Sequence, residues 1–235
     1  TVSGSTAGSS QVYDGSTVAQ LAGTPAFTSE LVGEGNTGDG KYYSDVDTIA
    51  ATGSAVGAFA NRNVAENKPI TITGISQGEG EGYGNYTVTQ QTGLVRTVTQ
   101  KSITISGVTA GGTQVYNGSV NVTSSFGGVA AFIGEDVGEG STSDGKYYDN
   151  VDTISATGTV GGVFANRNVA SNKAITLTGI TQGTGEGYGN YTVASQAGLT
   201  ASVTAKAITV SGSTAGGSQV YDGSLVAQLS GTPAF

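Results

Sequence analysis

The sequence predicts an all-β chain of tandem antiparallel β-sandwich modules, immunoglobulin-like in layout, about 105 residues each and joined end to end. Three observations lead there. First, Gln11-Val12-Tyr13-Asp14-Gly15-Ser16 returns as Gln114-Val115-Tyr116-Asn117-Gly118-Ser119 and again as Gln219-Val220-Tyr221-Asp222-Gly223-Ser224, at spacings of 103 and 105 residues, the size of a small domain rather than a solenoid coil. Second, apolar residues alternate with Thr, Ser or small residues (Ile70, Ile72; Tyr86, Val88; Ile103, Ile105; Ile175, Leu177; Tyr191, Val193), the period of half-buried strands. Third, Gly-containing turn signals interrupt the runs at short intervals, and no window has the spacing and caps of a helix.

The order of elements is constant within a module. A first strand (Thr1 to Gly4, Ile103 to Gly107, Ile208 to Gly212) leads into the Q-V-Y-[DN]-G-S stretch, read as a hairpin because Asp-Gly and Asn-Gly suit two-residue turns with positive φ. An acidic Gly-rich insert follows, then Lys41-Tyr42-Tyr43 or Lys146-Tyr147-Tyr148, and then Phe59-Ala60-Asn61-Arg62-Asn63-Val64 or Phe164 to Val169. The strand from Lys68 to Ile75, copied at Lys173 to Ile180, precedes the closing Gly82-Tyr83-Gly84-Asn85-Tyr86-Thr87-Val88 and its copy at Gly187 to Val193.

Near Gln100-Lys101 the alternation changes phase, from Leu94 and Val98 to Ile103 and Ile105, and near Ala205-Lys206 it does so again. A one-residue slip turns every side chain over, so one extended stretch changes faces at each boundary. The modules are therefore 1–100, 101–205 and the N-terminal part of a third, 206–235. Residues 1–27 and 209–235 differ at three positions only, so the longer repeat is a pair of modules. A sandwich fragment of this size cannot bury its own face, and residues 206–235 are expected to be held by the preceding module or a neighbouring chain. The chain reads as a window on a longer array.

Composition excludes several classes of function. A net charge of −8 argues against nucleic acid and anionic membrane as partners, since both reward clustered Lys and Arg. No apolar run is long enough to span a bilayer and no leader precedes the first repeat, so a targeting or anchoring signal is expected outside this stretch. Without His or Cys the common nucleophile–base pairs are missing, and the chain is not expected to be an enzyme. Gly33-Glu34-Gly35-Asn36-Thr37-Gly38 fits a dinucleotide fingerprint only in its letters: it opens no helix, and its copy loses the last Gly.

The Y-D-G stretch, F-A-N-R-N-V followed by Asn67-Lys68-Pro69-Ile70-Thr71-Ile72-Thr73-Gly74, and the G-N-Y-T-V closure occur in this order. Together they resemble the YDG and MBG-type repeat modules of large bacterial surface proteins, including filamentous-haemagglutinin-like adhesins. The resemblance implies an extracellular, cell-surface, all-β stalk or adhesin segment with no catalytic residue. Two departures are the longer acidic insert and Asn117 in place of Asp.

Of 17 acids, 11 crowd the two inserts, and Glu34, Asp39, Asp45 and Asp47 with Glu139, Asp144, Asp149 and Asp152 are the candidate ligands of a weak Ca²⁺ site. No other cofactor is expected, and the D-x-[DN]-x-[DN]-G ligand ladder is missing from both inserts. Tyr13, Tyr116 and Tyr221 read as core anchors. The Asn-Arg-Asn trios read as tight turns, with Arg62 and Arg167 pairing inside their own module. Lys101 or Lys206 is a candidate for an internal Lys–Asn isopeptide crosslink. The leading expectation is a structural stalk that holds a cell to a surface or to its neighbours. Its alternatives are a module binding a cell-surface glycan or protein through the acidic loops, and a filament whose subunits complete one another by added strands.

Overall fold

The computed structural model describes residues 1–235; its regular structure consists of short β-strands joined by turns and loops, with a single 3-10 turn at Tyr188–Asn190. In the first module Val2–Ala7 pairs antiparallel with Leu21–Phe27, while Val18–Ala19, Ala51–Ala58 and Thr71–Gln77 form an antiparallel sheet. Ser10–Val12 lies parallel to Val95–Thr99, which runs antiparallel to Ala65–Pro69. The second module repeats this with Ser106–Ala110 on Phe126–Ala131, and with the four-stranded order Thr113–Val115, Thr200–Thr204, Ala170–Gln182, Ala156–Phe164.

The all-β class holds, but two local expectations do not. Ladders are not uniformly antiparallel: besides the pairs named, Lys101–Thr104 lies parallel to Tyr191–Ala194, and Gly134–Glu135 parallel to Tyr147–Tyr148. Asp14-Gly15 is also not a two-residue hairpin. The strand before it pairs with the end of the module and the strand after it with Ala51–Ala58, so the segment crosses between sheets. Only Gly15 has positive φ, at 75°. Asp14 instead accepts hydrogen bonds at Oδ1 from the Ser16 N–H (3.0 Å) and hydroxyl (2.9 Å), a side-chain-closed turn that Asn117 reproduces with the Ser119 N–H at 3.0 Å. An amide oxygen serves as well as a carboxylate there, which accounts for Asn in the middle copy.

Glycine has a specific use where two strands cross at a register shift. Gly158 (φ 106°) faces Gly179 (φ 79°), and a Cβ on Gly158 would run into the Gly179 carbonyl oxygen. Gly4 and Gly23 stand in the same relation between Val2–Ala7 and Leu21–Phe27. Only glycine allows both the left-handed backbone and the close approach.

The core does not stop at the boundary between modules. One cluster joins Tyr13, Phe59, Ile70, Ile72 and Val98 of the first module to Ile103, Tyr148 and Tyr191 of the second. A second cluster, with Ile105, Phe164, Ile175, Leu177 and Val203 among its members, lies within module two. Val98 and Ile103 both reach the first cluster from either side of Gln100, which is the change of phase at work.

Residues 206–235 are not held by the preceding module as expected. Thr214–Ala215 pairs with Leu229–Ser230, the fragment makes no hydrogen bond outside itself, and Tyr221 and Leu225 are fully exposed. The reason is visible in the complete modules. The corresponding strands, Ser10–Val12 and Val18–Ala19, pair with Val95–Thr99 and Ala51–Ala58, later strands of their own module.

Candidate functional site

The densest side-chain chemistry lies where the two modules meet. Its first half is built by the segment around Tyr13. Gln11, buried in its strand, donates from Nε2 to the Val18 carbonyl (3.1 Å) and accepts from the Gln20 N–H (3.4 Å), which ties the crossing loop at its base. Tyr13 then donates its N–H to the Thr99 carbonyl at 2.8 Å and points its ring out of module one with none of its surface left exposed.

Arg62 is the second contribution of module one. Asn61 Oδ1 accepts the Asn63 N–H at 3.0 Å, closing a turn with Arg62 at its tip. The Lys68 ammonium braces that turn from below by donating to the Asn61 carbonyl (2.8 Å) and to the Asn63 carbonyl, and it sits 4.9 Å from the centre of the Phe59 ring. Burial lowers the pKa of Lys68 from its ordinary value. Lys173, Asn166, Asn168 and Phe164 repeat the arrangement. The left-handed residues are Asn67 (φ 49°) and Asn172 (φ 51°), next to the lysines and outside the trios.

Module two supplies the acceptor. The Asp152 carboxylate has no exposed side-chain surface and takes three donors, the Tyr13 hydroxyl (2.7 Å), the Tyr191 hydroxyl (2.7 Å) and Arg62 Nη2 (3.2 Å). Arg62 also donates to the Val151 carbonyl and to Glu186 at 2.8 Å. The expectation that Arg62 pairs within its own module is thus corrected: Arg62 stands at the tip of a braced turn, and its reach is outward. The Tyr191 hydroxyl accepts the Tyr148 N–H at 3.0 Å, so the insert, the closing strand and the preceding module converge on one carboxylate. The Tyr13 and Tyr191 rings meet edge to face, 5.4 Å between centres at 83°. Burial, then the hydrogen bond and charge of Asp152, raise the Tyr13 hydroxyl above its ordinary range; burial raises that of Tyr191 likewise. Asn190 closes the rim, accepting the Val64 N–H at 2.9 Å, and Gln100 donates to the Gly189 and Tyr191 carbonyls at 3.0 and 3.2 Å.

Beside this latch lies a second buried charge cluster. Lys101, fully buried, donates to Glu135, stands 3.2 Å from Asp144 and covers the Tyr148 ring at 4.0 Å. Asp144 accepts the Ser141 and Lys146 N–H groups at 3.0 and 3.1 Å.

The candidate Ca²⁺ ligands are spread among separate tasks. Glu34 accepts the Leu31 N–H (3.4 Å), Asp39 the Lys41 N–H (3.0 Å), Asp45 the Val32 N–H (3.0 Å), and Asp47 the Tyr86 hydroxyl. In the copy Asn150 does the work of Asp45, accepting the Val137 N–H at 3.1 Å, so the position serves the loop backbone in both modules. Asp144 and Asp152 are engaged as described, Asp149 stands against Gly134, and Glu139 makes no side-chain hydrogen bond. No three acids come together in a group able to hold a metal ion. Of the three insert acids that are buried, Asp152 was among the candidates, whereas Glu30 and Glu135 were not. Their signal in the sequence was a 105-residue spacing shared with Asp39 and Asp144.

The same parts recur at the two outer ends. Glu30, Asp39, Tyr43, Asp47 and Tyr86 stand at the start of module one beside a cavity of about 330 Å³ lined in part by Tyr42, Tyr86 and Val88. Half-buried Tyr116, with exposed Arg167 and Lys206, stands at the far end of module two.

No curated protein and no solved structure matches the chain. The YDG domain is matched twice, over residues 1–93 and 99–198, one match on each side of the Tyr13–Asp152 latch. With most of its length covered in this way, the chain belongs to the YDG domain family.

Proposed function

We propose that the chain is a structural segment of a bacterial extracellular repeat adhesin, a stalk or surface fibre in which each module is locked to the next and which serves attachment to a surface or to other cells. The observation that carries this reading is the latch: one carboxylate of module two receives a tyrosine and an arginine of module one, inside a core shared by both. A flexible tether would leave such groups solvated, whereas a joint closed by buried hydrogen bonds and packed rings resists bending. The parts at the outer ends are those of the joint, so the same connection repeats along an array. Acidic charge on every module adds self-spacing and solubility.

Small-angle scattering of the intact chain tests the reading. A single particle with one fixed angle between modules is expected, and Asp152→Ala should broaden it into a bending ensemble. A wild-type chain that already bends freely would remove the stalk.

A second reading, a filament whose subunits complete one another by an added strand, has one observation in its favour. The edge at Tyr86 to Thr89 corresponds to Tyr191–Ala194, which in module two receives Lys101–Thr104, and Lys206-Ala207-Ile208-Thr209 repeats the Lys-x-Ile-Thr pattern of that strand. Concentration-dependent polymers that persist in denaturant, lost in Lys206→Glu, distinguish it from the stalk.

A further inference from the structure

The cluster around Lys101 contains the parts of a condensation reaction. A primary amine, a carboxyl acceptor and a second carboxylate in contact with the amine are held together on three separate segments. Lys101 comes from the first strand of module two, Glu135 from the strand opening the insert, and Asp144 from the insert's tip. The Lys101 side chain is fully buried, that of Glu135 is 2 % exposed and that of Asp144 20 %. The only other lysines near such acids are exposed: Lys41 and Lys146 keep about 40 % of their side-chain surface in water. Lys101 is therefore the one amine in the chain held dry against two carboxylates.

We propose that Lys101 and Asp144 form an intramolecular isopeptide bond, with Glu135 as the proton carrier. Nζ passes a proton to Glu135 and attacks Asp144 Cγ as the neutral amine. Two protons leave the ammonium in all, and both end on the departing Asp144 oxygen, which leaves as water. Glu135 returns to its starting state. The amide joins Nζ to Cγ, and no oxidant, metal or cofactor is consumed. Neither reactant has an Asn in the position a Lys–Asn crosslink requires, since both groups contacting Nζ are carboxylates.

Several features favour the bond over the ion pair. Two charges taken out of water carry a desolvation cost that a neutral amide does not. The Tyr148 face shields the amine and helps keep water from reversing the reaction. The Ser141 and Lys146 N–H groups fix the Asp144 carboxyl, so the reacting groups are already positioned. Glu135 Oε2 is buried without a hydrogen-bond partner, with the Lys146 ammonium 3.7 Å away, so it has a lone pair available to take up a proton. The starting pair is charged. Burial pulls Lys101 down but its hydrogen bonds to Glu135, Tyr148 and Asp144 outweigh it, and backbone donors hold Asp144 below the ordinary carboxylate range. Proton transfer out of this pair makes the reaction slow, which a bond formed once per molecule tolerates.

The test is the mass of the denatured intact chain after prolonged incubation near neutral pH. A mass one water below that of the sequence is expected. A succinimide at Asp144-Gly145 loses the same water, so a peptide map decides. In the crosslinked chain trypsin no longer cuts after Lys101, and chymotryptic cuts at Tyr116 and Phe132 leave the Lys101 and Asp144 peptides joined. A succinimide leaves them separate. Glu135→Gln should keep the full sequence mass while retaining the native circular dichroism, and Lys101→Arg should do the same. Full sequence mass in the wild type, or a crosslink to Glu135 in place of Asp144, overturns the proposal. The stalk reading stands apart from this result, because the latch needs no covalent bond.

Discussion

The latch gives its sharpest test in a double-mutant cycle between Tyr13 and Asp152, residues 139 positions apart and in different modules. Tyr13→Phe removes one hydrogen bond to a buried carboxylate and leaves the ring in place; hydrogen bonds to charged groups are worth about 1.5–3 kcal/mol. Asp152→Ala costs more, because it strands the hydroxyls of Tyr13 and Tyr191, and an unsatisfied buried group costs about 1–3 kcal/mol. Arg62 adds little to that sum, since its side chain is 26 % exposed and keeps Glu186 and the Val151 carbonyl. Two stranded hydroxyls at that cost put the loss expected for Asp152→Ala at about 2–6 kcal/mol. In the double variant the Tyr13 hydroxyl is gone before it can be stranded, so the combined loss should fall short of the sum by about 1.5 kcal/mol. The assay is urea unfolding followed by tyrosine fluorescence, which 11 Tyr and no Trp make clean. Tyr116→Phe is the control: its hydroxyl makes no hydrogen bond, and the change should cost less than about 0.5 kcal/mol. Additivity of Tyr13→Phe and Asp152→Ala within about 0.5 kcal/mol would show that the two modules are not coupled through this carboxylate, and the reasoning fails.

Further outcomes follow from the same geometry. Tyr13 and Tyr191 are raised above the ordinary 10.0, so the native state holds those protons more tightly; stability from this source is intact below about pH 10 and declines as pH rises beyond it, less steeply in Tyr13→Phe. At the other end Asp144, before it is crosslinked, lies below the ordinary 3.8, so in the freshly folded chain its contribution is present above about pH 4 and is lost as pH falls through lower values; acid titration of Asp144→Asn should show a weaker loss, and so should the crosslinked chain, in which that carboxyl is gone. Gly158→Ala must place a Cβ against the Gly179 carbonyl at φ 106°, and a loss of about 1–3 kcal/mol in urea unfolding is expected. Chelator should leave the thermal midpoint unchanged, since the candidate oxygens of Asp39, Asp47, Asp144 and Asp152 are already committed to protein donors.

Local pattern was legible and partner choice was not. Alternation at Ile70, Ile72, Ile175 and Leu177 announced strands because burial on a pleated sheet has a period of two, and all four residues are buried. The change of phase between Val98 and Ile103 likewise located a real change of face. The pairing of Ser10–Val12 with Val95–Thr99 escaped, because nothing within a short strand records whether its neighbour runs parallel. Asp14-Gly15 misled for a related reason: a D-G pair signals a turn, and only the flanking strands' distant partners decide whether that turn closes a hairpin. Tyr13 was legible as a core residue but not as a bridge, since the core it enters belongs to the next module. For Arg62 and Asp152 the one available signal was their recurrence as Arg167 and Asp47, which marks a shared role without saying that the role is reciprocal.

The order of the latch residues along the chain also dictates a sequence of events. A polypeptide emerges from its N-terminus, so Tyr13 and Arg62 exist well before Asp152 has been made. Until then the first module must wait with an aromatic ring and a guanidinium turned toward solvent. Completion of the second module closes that joint and presents a fresh, unmatched pair, Tyr116 and Arg167, at the growing end. In the array proposed above, each newly finished unit therefore fastens the one ahead of it, and the oldest joints are the first to become fixed.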